Sequence, residues 1–226
     1  MNNPRKVRLG AVGPIIPNVT VKFDADGEIL CKGPNVMKGY YNKPEATREA
    51  IDADGWFHTG DIGVLEDGFL KITDRKKDLI VTAGGKKVAP QPIEGLVKKS
   101  KFVSNAVMLG DKRQFCIMLV VAQYEHLEPW AKDENLAWKD HRELIKLPQV
   151  VAKMEQEVLS QLTELARYEM PKKILLLEHD FTVESGDLTP TLKVKRKVVE
   201  KKYQREIDAI YEEAAKHAPA GAGHDA

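Results

Sequence analysis

The sequence predicts an α+β protein: a mainly-β first third, then a small α+β domain with a mixed sheet and packing helices. Three observations carry this. Asp-Gly pairs at 26–27, 54–55 and 67–68 punctuate short apolar runs, and Asp-Gly supplies the positive φ angles of tight hairpin turns. Two predominantly apolar runs, Val103–Leu109 and Phe115–Val121, read as buried strands. Apolar residues then recur at helical spacing at Val151, Met154, Val158, Leu162 and Leu165.

In chain order, Val7–Gly13 reads as strand and turn with nothing before it, as if the chain began within a larger fold. Val19–Phe23 with Glu28–Lys32 forms one hairpin, and Ile62–Leu65 with Phe69–Thr73 another. Between them, Pro44–Ala50 carries a first-turn Pro and an early Glu, the signature of a short helix. Residues 1–73 are thus mostly β. The charged stretch Asp74–Asp78 follows, where the texture changes, and is assigned as a solvated linker between this region and a second domain at 79–226. There, Leu79–Thr82 and Lys86–Ala89 make a hairpin around Gly84-Gly85, and Pro92–Ser100 a helix. The long amphipathic helix runs from Val151 and stops before Pro171, and Ile174–Leu177 is a third strand. Val199, Tyr203, Ile207 and Ile210 mark one closing helix, and Pro219–Ala226 reads as a frayed tail.

Composition narrows the function class. In 226 residues, hydrophobic types make up 42% and charged types 31%, a globular balance. A formal net charge of +1 and 7% aromatics do not describe a nucleic-acid groove. The two cysteines, Cys31 and Cys116, suit a reducing compartment, and the histidines lack metal-ligand spacing, so no metal site is assigned. The longest apolar run, Phe115–Ala122, is far short of a membrane span. A cytoplasmic location is expected.

Four segments offer chemistry, each with a plainer alternative. In Trp56–Asp61 (WFHTGD), a carboxylate on a tight turn offers two oxygens to a vicinal diol such as ribose; the plainer role is a turn cap. Arg75 follows a strand, where its guanidinium fork can reach a sugar hydroxyl or phosphate, although charge runs are usually solvated turns. In Gly84-Gly85-Lys86-Lys87, two residues without Cβ let a substrate chain pass near backbone, with two ammonium groups beside it. It is not a Walker loop. Thr189–Lys197 runs through a Pro-containing loop into a basic helix start, which opposes the helix macrodipole and so disfavours a purely structural role.

Together, in this order and spacing, GEILCKGPNVMKGYY, WFHTGD, TDRKKDLIVTAGGKKVAP and LTPTLKVKR resemble the adenylate-forming acyl-CoA synthetases, and within them the long-chain fatty-acid–CoA ligases. The likeness runs from about Gly10 to about Tyr203, and Trp130–Gln149 also suits that branch. It implies that residues 1–73 are the last β subdomain, a remnant of a large N-terminal AMP-binding domain. Residues 74–78 are then a hinge and 79–226 the mobile C-terminal domain. It implies ATP/AMP, coenzyme A and Mg²⁺ as cofactors, the Mg²⁺ site and the ATP-phosphate loop lying in the part upstream of this chain. The implied substrates are fatty acid, ATP and coenzyme A, without nucleic acid; peripheral membrane contact through the basic segment stays open.

By this resemblance Lys193 is the catalytic lysine, with Leu192 standing where many relatives have Gly and with Lys195, Arg196 and Lys197 as near alternatives in register. Asp61 binds the ribose hydroxyls and Arg75 assists. Asp74 and Lys77 are the candidate pivots, Lys77 foremost. Gly84, Gly85, Lys86 and Lys87 line the pantetheine path, with either lysine meeting coenzyme A phosphates. The rival readings are a stand-alone, non-catalytic nucleotide- or coenzyme A-binding module, and an adenylating enzyme that uses another carboxylate or a carrier protein.

Overall fold

A computed structural model describes Asn2 and residues 6–216, and in it the chain falls into two units, Met1–Leu79 and Ile80–Ala226. The tail expected at Pro219–Ala226 lies outside the described residues.

The first unit is a five-stranded antiparallel sheet in the order β1-β5-β4-β3-β2. Its strands are β1 (Gly13–Pro14), β2 (Thr20–Phe23), β3 (Glu28–Lys32), β4 (Phe57–Glu66) and β5 (Phe69–Arg75). Of the segment Val7–Gly13, only Gly13 enters the sheet, against Leu70 of β5. The β2–β3 hairpin closes at Asp26-Gly27, and Asp67-Gly68 turns β4 into β5; Gly27, Asp67 and Gly68 all have positive φ. The central hairpin is longer than expected. Trp56–Asp61 is not a tight turn, because Phe57 to Asp61 already belong to β4. Phe57 and His58 pair with β3, and Thr59–Asp61 bulge within the strand instead of turning it back. Helix α1 (Pro44–Ala50) starts at its proline as expected.

The linker is less solvated than its charges imply. Asp74 is 2% exposed and, with Arg75, ends β5; Lys76–Asp78 form one 3-10 turn. The unit boundary comes just after, between Leu79 and Ile80.

The second unit opens with a short hairpin, β6 (Ile80–Val81) and β7 (Lys87–Val88), then α2 (Pro90–Val97). Helix α2 begins two residues before the expected start because Pro90 can occupy the first turn, where its missing N–H costs nothing. The main sheet is mixed: β8 (Val103–Leu109) is antiparallel to β9 (Ile117–Ala122), and β10 (Lys173–Leu177) is parallel to β9. All six residues of β9 are buried, because both faces are covered. Ala106, Met108, Met118 and Val120 pack on one face with Ile93 and Val97 of α2 and with Val150, Met154 and Val158. Val107, Leu109, Leu119 and Val121 pack on the other face with Phe181, Leu188, Val199 and Ile207.

The later helices differ from expectation as well. Helix α3 (Tyr124–Asp133) follows β9 directly, and its last four residues and α4 (His141–Leu144) lie inside the segment Trp130–Gln149 that the resemblance ties to the long-chain branch. The amphipathic helix α5 spans Pro148–Ser160 and ends ten residues before Met170. Leu162 continues the apolar spacing and is fully buried, but it does so from a turn rather than a helix. The closing helix is two, α6 (Arg196–Lys202) and α7 (Gln204–Lys216), broken at Tyr203, whose φ of −105° and ψ of 21° leave the helical range.

Candidate functional site

Asp61 and Arg75 face each other across β4 and β5 in register, and Arg75 Nε donates to Asp61 Oδ1 at 2.7 Å. The Asp61 side chain is 21% exposed and that of Arg75 52%, so the pair sits at the surface with Asp61 Oδ2 left for a further donor. A cis-diol offers two hydroxyl donors at the spacing a carboxylate accepts, and the exposed guanidinium has N–H groups to spare. Asp74 lies beside them but turns inward, its Oδ1 accepting from the Arg75 N–H at 2.6 Å. Lys77 is exposed on the 3-10 turn.

Beneath Asp61 lies Glu28, which the sequence reading passed over. Glu28 is 2% exposed. It accepts from the Gly60 N–H at 2.9 Å, and its Oε2 lies 2.8 Å from Lys76 Nζ and 3.1 Å from His58 Nδ1. Burial alone raises its carboxyl pKa, yet the bonds from Lys76, His58 and the Gly60 amide bring it below the ordinary carboxylate value. Bonds to Asp26 and Glu28 push the Lys76 ammonium well above its ordinary value. Among the described residues, Asp24, Asp26 and Glu28 also bring carboxylate oxygens within 4.8 Å of one another. Lys76 Nζ sits 2.8 Å from both Asp26 and Glu28, so the cluster fits an ammonium group and not Mg²⁺.

The Gly84–Lys87 loop caps the β6–β7 hairpin. Thr82 closes it: its N–H donates to the Lys86 carbonyl at 3.0 Å, its carbonyl accepts from Gly85 N–H at 2.8 Å, and its hydroxyl accepts from Lys86 N–H at 3.2 Å. Gly85 holds a φ of +73°, which a Cβ disfavours, and a Cβ at either glycine meets nothing within 4 Å. The loop is therefore open backbone flanked by two exposed ammonium groups, which suits the passage of an extended chain ending in phosphates. Lys86 Nζ stands 5.8 Å from the Tyr168 ring centroid.

Lys193 projects from a separate turn. Leu188 and Val194 form an isolated bridge, Thr189 N–H donates to the Lys193 carbonyl at 2.8 Å, and Leu192 N–H to the Thr189 carbonyl at 2.8 Å. Leu192 takes a φ of +60° and is 71% exposed, so it adopts a glycine-type conformation without packing in return. Of the neighbouring cations, Arg196 is already engaged, its Nη1 2.5 Å from Glu94 Oε1 and 2.5 Å from the Met108 carbonyl. Lys193 and Lys195 are exposed. The base of the turn rests on Asp187, fully buried, whose Oδ2 binds Lys202 Nζ and Ser185 Oγ at 2.6 Å each. Burial works against the Lys202 charge, but the Asp187 bond carries its pKa above the ordinary value.

The structure thus sets Asp61, midway along β4, opposite Arg75 at the end of β5 with Asp74 beside it, gathers Gly84–Lys87 in one loop, and sets Lys193 on a turn of its own. The family model of the AMP-binding enzyme C-terminal domain matches residues 77–215. The chain belongs to that family. Over 207 residues, 91% of the chain, it is 40% identical to the Long-chain-fatty-acid–CoA ligase FadD15 of Mycobacterium tuberculosis, of which it covers 34%. It is 37% identical over 94% of its length to the human Long-chain-fatty-acid–CoA ligase ACSBG1, covering 33% of that protein. The chain therefore spans about a third of the length of these relatives. Among solved structures, the o-succinylbenzoate CoA synthetase of Bacillus subtilis, in complex with its acyl-adenylate intermediate, is similar with a TM-score of 0.59 and 25% identity. That likeness covers 85% of this chain and 36% of the synthetase. In this AMP-binding C-terminal domain no described helix is long and apolar enough to cross a membrane.

Proposed function

We propose that this chain is a working part of an ATP-dependent long-chain fatty-acid–CoA ligase, acting in the cytoplasm. The observation that carries the reading is the in-register Asp61–Arg75 pair, half-exposed and with a carboxylate oxygen to spare, in a chain of this family.

The reaction has two halves. A fatty carboxylate oxygen attacks the α-phosphorus of ATP and pyrophosphate leaves; the coenzyme A thiolate then attacks the acyl carbonyl and AMP leaves. Asp61 accepts from the ribose hydroxyls, while Arg75 holds the carboxylate and donates to the sugar. Lys193, an exposed ammonium on a braced turn, supplies positive charge where negative charge develops on carboxylate and α-phosphate oxygens. Lys77 is the pivot between half-reactions, Asp74 being locked in β5 by its burial. The open backbone at Gly84 and Gly85 admits the pantetheine arm, and Lys86 or Lys87 meets its phosphates. Mg²⁺, where bound in the ligase, would neutralise triphosphate charge.

In the ligase that carries this segment, Lys193→Ala is expected to slow adenylate formation by ~10²–10³ and to spare thioester formation from supplied acyl-adenylate. Equal damage to both halves would make Lys193 structural. Gly85→Trp should instead harm the coenzyme A step alone. The 226-residue chain by itself, given ATP, Mg²⁺, palmitate and coenzyme A, should release no pyrophosphate and form no thioester.

A further inference from the structure

The backbone between His58 and Ile62 breaks the ladder. Leu30 pairs with His58 and Glu28 with Ile62, so β4 uses four steps where β3 uses two. The surplus residues bulge, and their N–H groups lose strand partners that must be replaced. Side chains replace them. Gly60, at a φ of +69°, donates its N–H to Glu28 Oε1; Thr59 Oγ1 donates to the Ile29 carbonyl at 2.7 Å and accepts from the Asp61 N–H at 3.1 Å. The bulge that sets Asp61 opposite Arg75 is therefore held from below by Glu28.

The same carboxylate faces the linker. Lys76 lies between Arg75 and Lys77, and its Nζ reaches both Glu28 Oε2 and Asp26 Oδ2. His58 completes the cluster, with Nδ1 on Glu28 and Nε2 3.8 Å from Asp52. A nearly fully buried carboxylate left without its cation carries a large desolvation penalty, so holding or releasing Lys76 changes what Glu28 can do for Gly60.

We propose that Glu28 and Lys76 form a latch that couples the start of the linker to the Asp61 bulge. Lys76 seated on Glu28 holds the chain after β5 against the sheet and keeps the Gly60 N–H bonded; Lys76 released loosens both together. Glu28 and Lys76 are positioning residues, not catalytic ones. The functional meaning, that a state of the linker is felt at the ribose carboxylate, rests on the roles proposed above for Asp61 and Lys77, whereas the coupling itself does not.

Amide hydrogen exchange on the ¹⁵N-labelled 226-residue chain separates the two. Lys76→Met keeps the alkyl stem and removes the charge. It should speed exchange at Gly60 and Asp61, and at Leu79, whose N–H bonds the Arg75 carbonyl, by about tenfold or more, the effect of losing a hydrogen bond to a charged group. Amides of β8 and β9 should not change. Lys76→Arg should restore protection, and Glu28→Gln, which keeps an acceptor for Gly60 but no charge for Lys76, should loosen Leu79 more than Gly60. A Gly60 amide that ignores Lys76→Met would overturn the latch, as would uniform loosening of every amide in residues 1–79. AMP titration reads the other claim: an Asp61 resonance unmoved by AMP defeats the ribose assignment, while the Gly60 response still decides the latch.

Discussion

The two units are held together by different physics. In the second, a three-stranded mixed sheet is covered on both faces, and both apolar clusters of buried residues lie between Ile80 and Ile207. In the first, the buried set among the described residues includes only Ile29 and Leu30 among large apolar side chains, and it includes the carboxylates of Glu28 and Asp74. Leu9, Tyr41, Leu65 and Ile72 of the first unit remain exposed. Apolar burial scales with area and tolerates small displacements, whereas a buried ion network depends on each partner's position. The difference separates a scaffold from a site. The unit with the thin core holds the Asp61–Arg75 pair in a bulged ladder, and the unit with the thick core can present Lys193 on an exposed turn without losing its fold.

The largest test of this contrast is a cavity in the sandwich. Met118 is fully buried between β9 and the helices, so Met118→Ala should cost ~2–5 kcal/mol of second-unit stability by urea unfolding. A cost near zero would mean that the sandwich is not the source of stability. Next, hydrogen exchange should show β8 and β9 amides opening only globally, with β4 and β5 amides opening first. Limited proteolysis should correspondingly spare residues 103–122. Preferential cleavage there would reverse the comparison.

A pH series addresses the ion network. Glu28 is held below its ordinary pKa in the fold, so its contribution is fully present above the unfolded value and is lost as pH falls through the lower folded value. The first unit should therefore lose stability below about pH 4, and Glu28→Gln should flatten that loss while lowering stability at neutral pH. Unchanged acid sensitivity in Glu28→Gln would overturn this role for Glu28. The smallest effect concerns Leu192. Relief of its positive φ by Leu192→Gly should raise the melting stability by up to about 1 kcal/mol, the strain exceeding the extra chain entropy of glycine.

Much of the chain was legible from its residues. The hairpins at Asp26-Gly27 and Asp67-Gly68, the buried runs at 103–109 and 117–121, and the di-glycine turn all have local causes: positive-φ residues, or apolar runs with no polar face. The motifs around Asp61, Arg75 and Lys193 were visible because their residue types and spacing are contiguous in sequence. The errors share a cause. The helical spacing from Val151 to Leu165 predicts a helix that stops only before Pro171, yet α5 ends at Ser160, because spacing reports which residues are buried and not whether the backbone between them stays helical.

What the sequence by itself determined is local: turn chemistry, apolar periodicity, and the order of its motifs. What only the tertiary structure decided is which charges are spent inside the fold. Asp74 reads as a solvated linker residue and is buried; Arg196 reads like Lys193 and is bound to Glu94, 102 residues away. Glu28 reads as an ordinary strand residue, yet it meets Lys76 across 48 residues and carries the bulge beneath Asp61. A charge looks the same in sequence whether water or a distant partner satisfies it. The partner is chosen by strand register, and a two-residue surplus in β4 sets that register here.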